Sequence, residues 1–328
     1  MHMADALVST AVAGTMYACS AVAVGYSLKK VRTADLNRKV PLMGVMGAFV
    51  FAAQMINFTI PGTGSSGHLT GGMMLSALLG PEAGFLTMTA VLAIQCLLFA
   101  DGGLMALGCN MWNMGFYGCF VGYLIWRLFM RGGMTRRRII LASLIGCVLA
   151  LQLGALSVTL ETLASGITEL PFGVFLGFMQ PVHLAIGLVE GAITAAVLLF
   201  VFQARPQLLQ GYDISDDARM KTSVVVSVLA VAVVATGGLL SLFASSHPDG
   251  LEWSIEKVTG STELESTSTS HLWAARIQEK LALLPDYDFL TPTDGAGTSF
   301  SGIVGALLAL VVCVSVCMII LRIKRTGK

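Results

Sequence analysis

His2 follows directly on Met1, and an imidazole one residue after a free α-amine can close a chelate around a metal ion. The amine, the intervening amide nitrogen and a ring nitrogen then lie in one plane. Imidazole with nitrogen partners suits Ni, Cu or Co. The grip requires Met1 to stay in place, and an initiator methionine is removed chiefly when the second residue is small, which His2 is not. A second imidazole, His68, stands in PGTGSSGHLTGG, residues 61–72, where five glycines and a proline exclude a regular helix. One nitrogen from His68 would complete a four-coordinate plane with those of Met1 and His2, an arrangement that favours Ni(II) or Cu(II). The plainer alternatives are a terminal histidine without a partner and a loop histidine that caps a helix or satisfies loop carbonyls.

Bringing positions 1, 2 and 68 together is a task for membrane helices. Hydrophobic residues make up 55% of the 328-residue chain and charged residues 12%, against about 25% charged in soluble domains. An all-α integral membrane protein follows. At about 20 apolar residues per span, helices are expected near 6–28, 40–60, 68–80, 83–100, 104–129, 138–161, 174–203, 222–244 and 299–321. The third is short and begins in glycines, so it reads as a partial or re-entrant span. The first apolar run, Ala11 to Leu28, has no basic residues before it, and Lys29, Lys30 and Arg32 come after it. It therefore reads as a retained anchor rather than a signal peptide, with its N-terminus outside. Lys and Arg gather at Lys29–Lys39, Arg127–Arg138, Arg205–Lys221 and Arg322–Lys328, leaving only Lys257, Arg276 and Lys280 for the opposite face. That bias predicts a plasma (inner) membrane protein with an extracytoplasmic N-terminus and a cytoplasmic C-terminus. Residues 1–204 are expected to form a seven-helix bundle, 205–221, with Pro206 and Gly211, a cytoplasmic linker, and 222–328 a two-helix hairpin carrying an extracytoplasmic loop over 245–298.

At the depth of the outer leaflet, the glycine-rich stretch must line a polar cavity or be buried by protein. Asn57, Gln95, Asp101, Asn110, Asn113, Glu161, Gln180, His183 and Glu190 interrupt otherwise apolar segments, and such groups mark interior networks or pathways. Asp101 and Asn110 fall in FADGGLMALGCN at an outer turn and can orient the imidazoles from behind; Asp5 and Asn113 complete that supporting set. Helix–helix hydrogen bonding accounts equally well for Gln95 and better for Gln180 and Glu190. Thr10, Gly14 and Ala18 form a small-residue ridge on the first helix that could dock a partner subunit or pack within the bundle. All seven cysteines lie in apolar segments, and Cys313 and Cys317, one turn apart, read as packing residues. A net charge of +1, with no basic arm or aromatic platform, excludes a nucleic-acid partner. Neither GxxxxGK[ST] nor HExxH occurs, so the chain carries no P-loop ATPase and no zincin protease motif.

MHMADAL at the start, GTGSSGHLTGG at 62–72, QCLLFADGGLMALGCN at 95–110 and NMGFYG at 113–118 resemble the CbiM/NikM family. These are substrate-binding membrane components of energy-coupling-factor (ECF) transporters for cobalt and nickel. The resemblance covers residues 1 to about 204. It implies that the metal is held by the amino nitrogen of Met1, the amide and ring nitrogens of His2, and the imidazole of His68. Cobalt-associated members often carry a Ser-His-Pro-Thr-type loop and a histidine before the paired glycines; Gly67-His68-Leu69 and Asp101 stand here instead. Nickel and cobalt both remain open. PDGLEW at 248–253 resembles the N-type accessory component, which implies a fusion of the two.

The acidic residues of the 245–298 loop (Asp249, Glu252, Glu256, Glu263, Glu265) read as a solvated surface before a cation-attracting one, and the hairpin as a clasp that holds Met1–His2 against His68. The function so implied is capture of Ni(II) or Co(II) as transported substrate, with no resident cofactor and no enzymatic step. The expected partners are an ECF transmembrane coupling (T/Q-type) subunit, two cytoplasmic ATPases and the lipid bilayer. A stand-alone secondary transporter or channel for divalent cations is the alternative.

Overall fold

The computed structural model describes residues 1–31, 33–212, 220–264, 266, 268–289 and 296–326. Arg32, Arg219, Glu265 and Lys328, with the rest of linker 213–219, lie outside the described residues.

The described chain is helical apart from one two-stranded ribbon. In order it forms α1 (Thr10–Lys30), α2 (Thr33–Gln54), β1 (Phe58–Ile60), β2 (Ser65–Gly67), α3 (Gly72–Leu79) and α4 (Pro81–Phe99). Then come α5 (107–130), α6 (Arg136–Ser165), α7 (Phe172–Ala204), α8 (Thr222–Phe243), α9 (Gly250–Thr259), α10 (Thr269–Leu281) and α11 (Ala296–Thr326). Six of these are long and apolar enough to cross a membrane: α1, α4, α6, α7, α8 and α11, with a shorter apolar helix over Lys39–Gln54. α5 is π-helical over Met111–Val121. Its small residues let it cross α3 closely, and a Cβ on Gly72 would sit 2.8 Å from Gly118 Cα.

Several boundaries differ from the sequence expectation, each for a local reason. α1 starts at Thr10 rather than 6 because the Ser9 hydroxyl accepts from Val12 N, which leaves residues 1–9 as a separate segment anchored by buried Met1, Met3, Leu7 and Val8. α2 stops at Gln54 rather than 60, since Phe58–Ile60 pairs antiparallel with Ser65–Gly67. Gly62 and Gly64, at φ +77° and +76°, make the turn between them. The 245–298 stretch is not a plain polar loop. α9 opens on a capping box in which Asp249 Oδ1 accepts from Leu251 N and Glu252 N while Glu252 Oε2 accepts from Asp249 N. α10 follows after Ser268.

The bundle has two chemically distinct ends. At one, Trp126 Nε1 donates to Gln210 O, Gln210 Nε2 to Leu78 O, Lys39 Nζ to Leu79 O and Lys324 Nζ to Lys29 O. This is where the basic clusters lie. At the other, the first nine residues, the β1–β2 ribbon, the 100–106 turn and the α9–α10 segment converge. Ser66 N donates to Pro248 O and Ser66 Oγ to His247 O, so the PDGLE stretch is stitched to the edge of the ribbon.

Candidate metal site

Residues 1–9 are held from three sides. Asn110 grips the Met3 backbone with its amide: Met3 N donates to Asn110 Oδ1 (2.7 Å) and Asn110 Nδ2 donates to Met3 O (3.1 Å). Gly103 N donates to Met3 O as well. Asp5 Oδ1 accepts from Ala106 N at 2.9 Å, tying the segment to the 100–106 turn. From the other side, His271 Nε2 on α10 donates to both Asp5 O and Val8 O. The turn can approach because Gly103 has no side chain; a Cβ there would overlap Asp5 Oδ1 and Asp5 N.

These restraints put the α-nitrogen of Met1 2.7 Å from His68 Nε2. Two nitrogens about 2.0 Å from a common ion and at right angles to each other are separated by about 2.8 Å, so the spacing suits adjacent corners of a donor plane. His68 Nδ1 faces Leu69 O at 3.2 Å. A carbonyl can only accept, so Nδ1 carries the proton and Nε2 turns its lone pair toward Met1. The His2 ring stacks on the His68 ring with centroids 5.1 Å apart and planes 22° apart. Its Nε2 meets Gln95 Oε1 at 3.2 Å and its Nδ1 meets Asp101 Oδ1 at 3.1 Å. Nδ1 is the ring nitrogen close enough to the backbone to chelate with the His2 amide, so a chelating ring must turn away from Asp101. Tyr287 OH donates to the other oxygen of that carboxylate.

The electrostatics favour neutral imidazoles. Burial lowers the His2 pKa against the pull of Asp101, and burial, the Met1 ammonium and His2 together hold His68 well below the usual imidazole range. The Met1 ammonium donates to Asp249 Oδ2, buried with it. Burial by itself would raise the Asp249 carboxyl, but the ammonium and His68 outweigh it and hold Asp249 below its ordinary value. Glu252 is pushed up to about 7 by burial and by neighbouring Asp249. A cavity of about 400 Å³ opens over His2 and is lined by Asp5, Asp101, Asp249, Glu252 and His271 among others, giving an acidic approach to the site.

Met1, His2 and His68 thus lie side by side, and Asp101 and Asn110 touch the first three residues directly. Asp5 organises the turn instead of an imidazole. Asn113 is a correction: its Nδ2 donates to Glu161 Oε2, and only its backbone carbonyl lies near the Met1 side chain, across Gly154. Sequence reasoning missed Asp249 and His271 as contacts of the first residues, and it left Gln95 undecided. The D-x-x-E capping signal at 249–252 was the available clue, because a buried helix start needs its cap held in place. Among the described residues, no three His, Cys, Asp or Glu side chains stand in metal-holding geometry.

The profile described as cobalt uptake substrate-specific transmembrane region matches residues 2–208, and that of the PDGLE domain matches 222–322. A putative fused nickel transport protein of Archaeoglobus fulgidus is 36% identical over 94% of this chain and 96% of its own length. A probable fused nickel transport protein of Lactiplantibacillus plantarum is 30% identical over 79% of each chain. Among solved structures, a truncated transition metal transporter superposes with a TM-score of 0.55 at 31% identity, covering 62% of this chain and 98% of its own.

Proposed function

The chain belongs to the family of cobalt uptake substrate-specific transmembrane proteins, a family of nickel and cobalt transporters, and from that premise we propose that it is the substrate-capturing subunit of an ECF-type ABC importer for Ni(II) or Co(II). The ion is taken at the extracytoplasmic end by the Met1 amine, the His2 amide and ring, and the His68 ring. The observation that carries this reading is the 2.7 Å approach of the Met1 nitrogen to His68 Nε2, with the His2 ring stacked alongside. Imidazole and amine nitrogens in one plane fit Ni(II), and the two fused relatives named above are described as nickel transport proteins. Nickel is accordingly the first substrate to test.

Loading is an exchange of protons for metal. The Met1 ammonium must give up its hydrogen bond to Asp249, and the His2 ring must leave Asp101. Affinity therefore falls in acid, as it does for nitrogen ligands in general. Asp249 stays beside the bound ion as counter-charge, and its helix start keeps the carboxylate fixed. The N-type hairpin acts as the clasp: Asp249 and His271 hold the first residues against the β1–β2 ribbon. Without a P-loop in this sequence, inward movement depends on a coupling subunit and two ATPases docked at the basic, cytoplasmic end.

Calorimetric titration of the purified chain with Ni(II) tests the site. The parent should bind one ion, and His2→Ala and His68→Ala should each weaken binding by about 100-fold or more, beyond the 10–100-fold typical of losing an outer partner. Unchanged binding in both variants would remove the site from this end of the molecule.

A further inference from the structure

The loop that carries His68 is tied to a carboxylate from α7. Glu190 is only 1% exposed, and a carboxylate sunk in a membrane helix is costly unless donors surround it. Here the donors come from the residues just after His68. Oε2 accepts from Thr70 N at 2.9 Å and Oε1 from Gly71 N at 3.0 Å. Thr70 Oγ1 donates between them, 2.7 Å from Oε1 and 2.8 Å from Oε2. Both oxygens are engaged by the loop, so the carboxylate serves as an anchor.

The local structure explains why an anchor is needed. α3 starts behind Gly71, an N-cap at φ +81° that has no side chain to offer the helix start. Negative charge is favourable at that end of a helix, and Glu190 brings it from α7. The other side of the same residue is held as well, since Gln54 Nε2 donates to Thr70 O at 2.9 Å. Close packing leaves little slack around these bonds. A Cβ on Gly67 would stand 2.5 Å from Ile186 Cγ1, and one on Gly71 2.7 Å from Val50 Cγ2.

The link to the metal ligand is a single peptide group. Thr70 N and Leu69 O belong to the same peptide, and Leu69 O accepts from His68 Nδ1 at 3.2 Å. The carboxylate thus pulls on the N–H of the peptide whose carbonyl holds the imidazole proton, and hydrogen bonds chained in this way polarise one another. A metal-bound histidine is commonly fixed by a carboxylate or carbonyl on its far nitrogen; here a carbonyl does so with a carboxylate behind it. We propose that Glu190 is a positioning residue for His68, acting through the Leu69–Thr70 peptide to fix the Nδ1-protonated tautomer and to aim Nε2 at Met1. The inference rests on the terminal site described above.

The experiment is Ni(II) calorimetry on variants of the purified full chain. Glu190→Gln keeps the size of the side chain but turns an NH2 toward one of the backbone N–H groups, so affinity should fall by about tenfold or more, the scale of losing an outer partner of a metal-bound histidine. In a His68→Ala background the same substitution should cost nothing further, because a residue that acts only through His68 has no effect once the ring is gone. A residue that merely supports the fold would weaken both backgrounds alike, and that result would overturn the proposal, as would parent-level affinity in Glu190→Gln. If circular dichroism shows Glu190→Gln unfolded, Thr70 decides the matter. Thr70→Val deletes the hydroxyl bond and should weaken binding, whereas Thr70→Ser keeps it and should bind like the parent; parent-level binding by Thr70→Val, or equal losses in the two, would refute the role of Glu190. His68→Ala by itself separates the two readings: if it binds like the parent, the terminal site is what has failed.

Discussion

The Met1 ammonium, 2.7 Å from His68 Nε2, is paired with one carboxylate, that of Asp249. Asp249 Oδ1 caps α9 while Oδ2 takes the Met1 ammonium. Asn caps a helix as well as Asp does, so Asp249→Asn keeps the helix start and removes only the charge. An ammonium left buried without its counter-ion is strongly destabilising, so the first residues should undock, with Ni(II) affinity down by about tenfold or more in calorimetry and the helical circular dichroism unchanged. Protons act on the same contact. His2 and His68 both titrate below the usual imidazole range, so the undocked segment binds protons more readily than the docked one. Groups shifted in this direction contribute stability above their ordinary pKa of about 6.5 and lose it as the pH falls through the lowered value. The thermal midpoint of the chain should therefore drop between about pH 7 and about pH 5, and His68→Gln should flatten that dependence.

Among the elements, the 100–106 turn and the β1–β2 ribbon do the positioning, and they were legible to different degrees. Glycines at 62, 64, 67, 71 and 72 announced an irregular loop around His68, and the loop is there. What composition could not convey is that Ser66 in this loop would bond to Pro248, some 180 residues away, because pairing across that distance leaves no local periodicity. The capping box at 249–252 was readable, yet acidic residues in a long polar stretch also look like a solvated surface. The start of α1 depended on one cap, Ser9, and shifting it to that cap freed the segment that carries the chemistry. Gly103 gives the sharpest test at this scale. Gly103→Ala places a methyl group against both the side chain and the backbone nitrogen of Asp5, and backbone cannot yield as a flexible side chain can. Calorimetry should show Ni(II) binding weakened about tenfold or more, in the range of other supporting contacts, whereas Gly14→Ala, with open space around it, should bind as the parent does.

For the molecule as a whole, hydropathy and charge carried the architecture: apolar helices, basic clusters gathered at one end, and the candidate ligands at the other. The orientation proposed from that asymmetry has a direct check. Ser261 is exposed beyond α9 and Arg137 is exposed at the start of α6, at opposite ends. In intact cells a membrane-impermeant thiol reagent should label Ser261→Cys and spare Arg137→Cys until the membrane is opened; the reverse pattern would invert the topology. Of the polar interior between those ends, His183 and Glu190 were visible in the sequence only as scattered residues. Their burial required the close packing of α7 on α6, where Gly187 meets Val148 and Gly191 meets Leu144. The account turns on one atom, the α-nitrogen of Met1, and the most direct measurement is the optical absorption of the Ni(II)-loaded chain beside a variant with one residue added before Met1. The parent should show the yellow absorption of square-planar nickel, and the extended chain should not. An identical spectrum from the extended chain would mean that the terminal amine is not a ligand and would contradict the central claim.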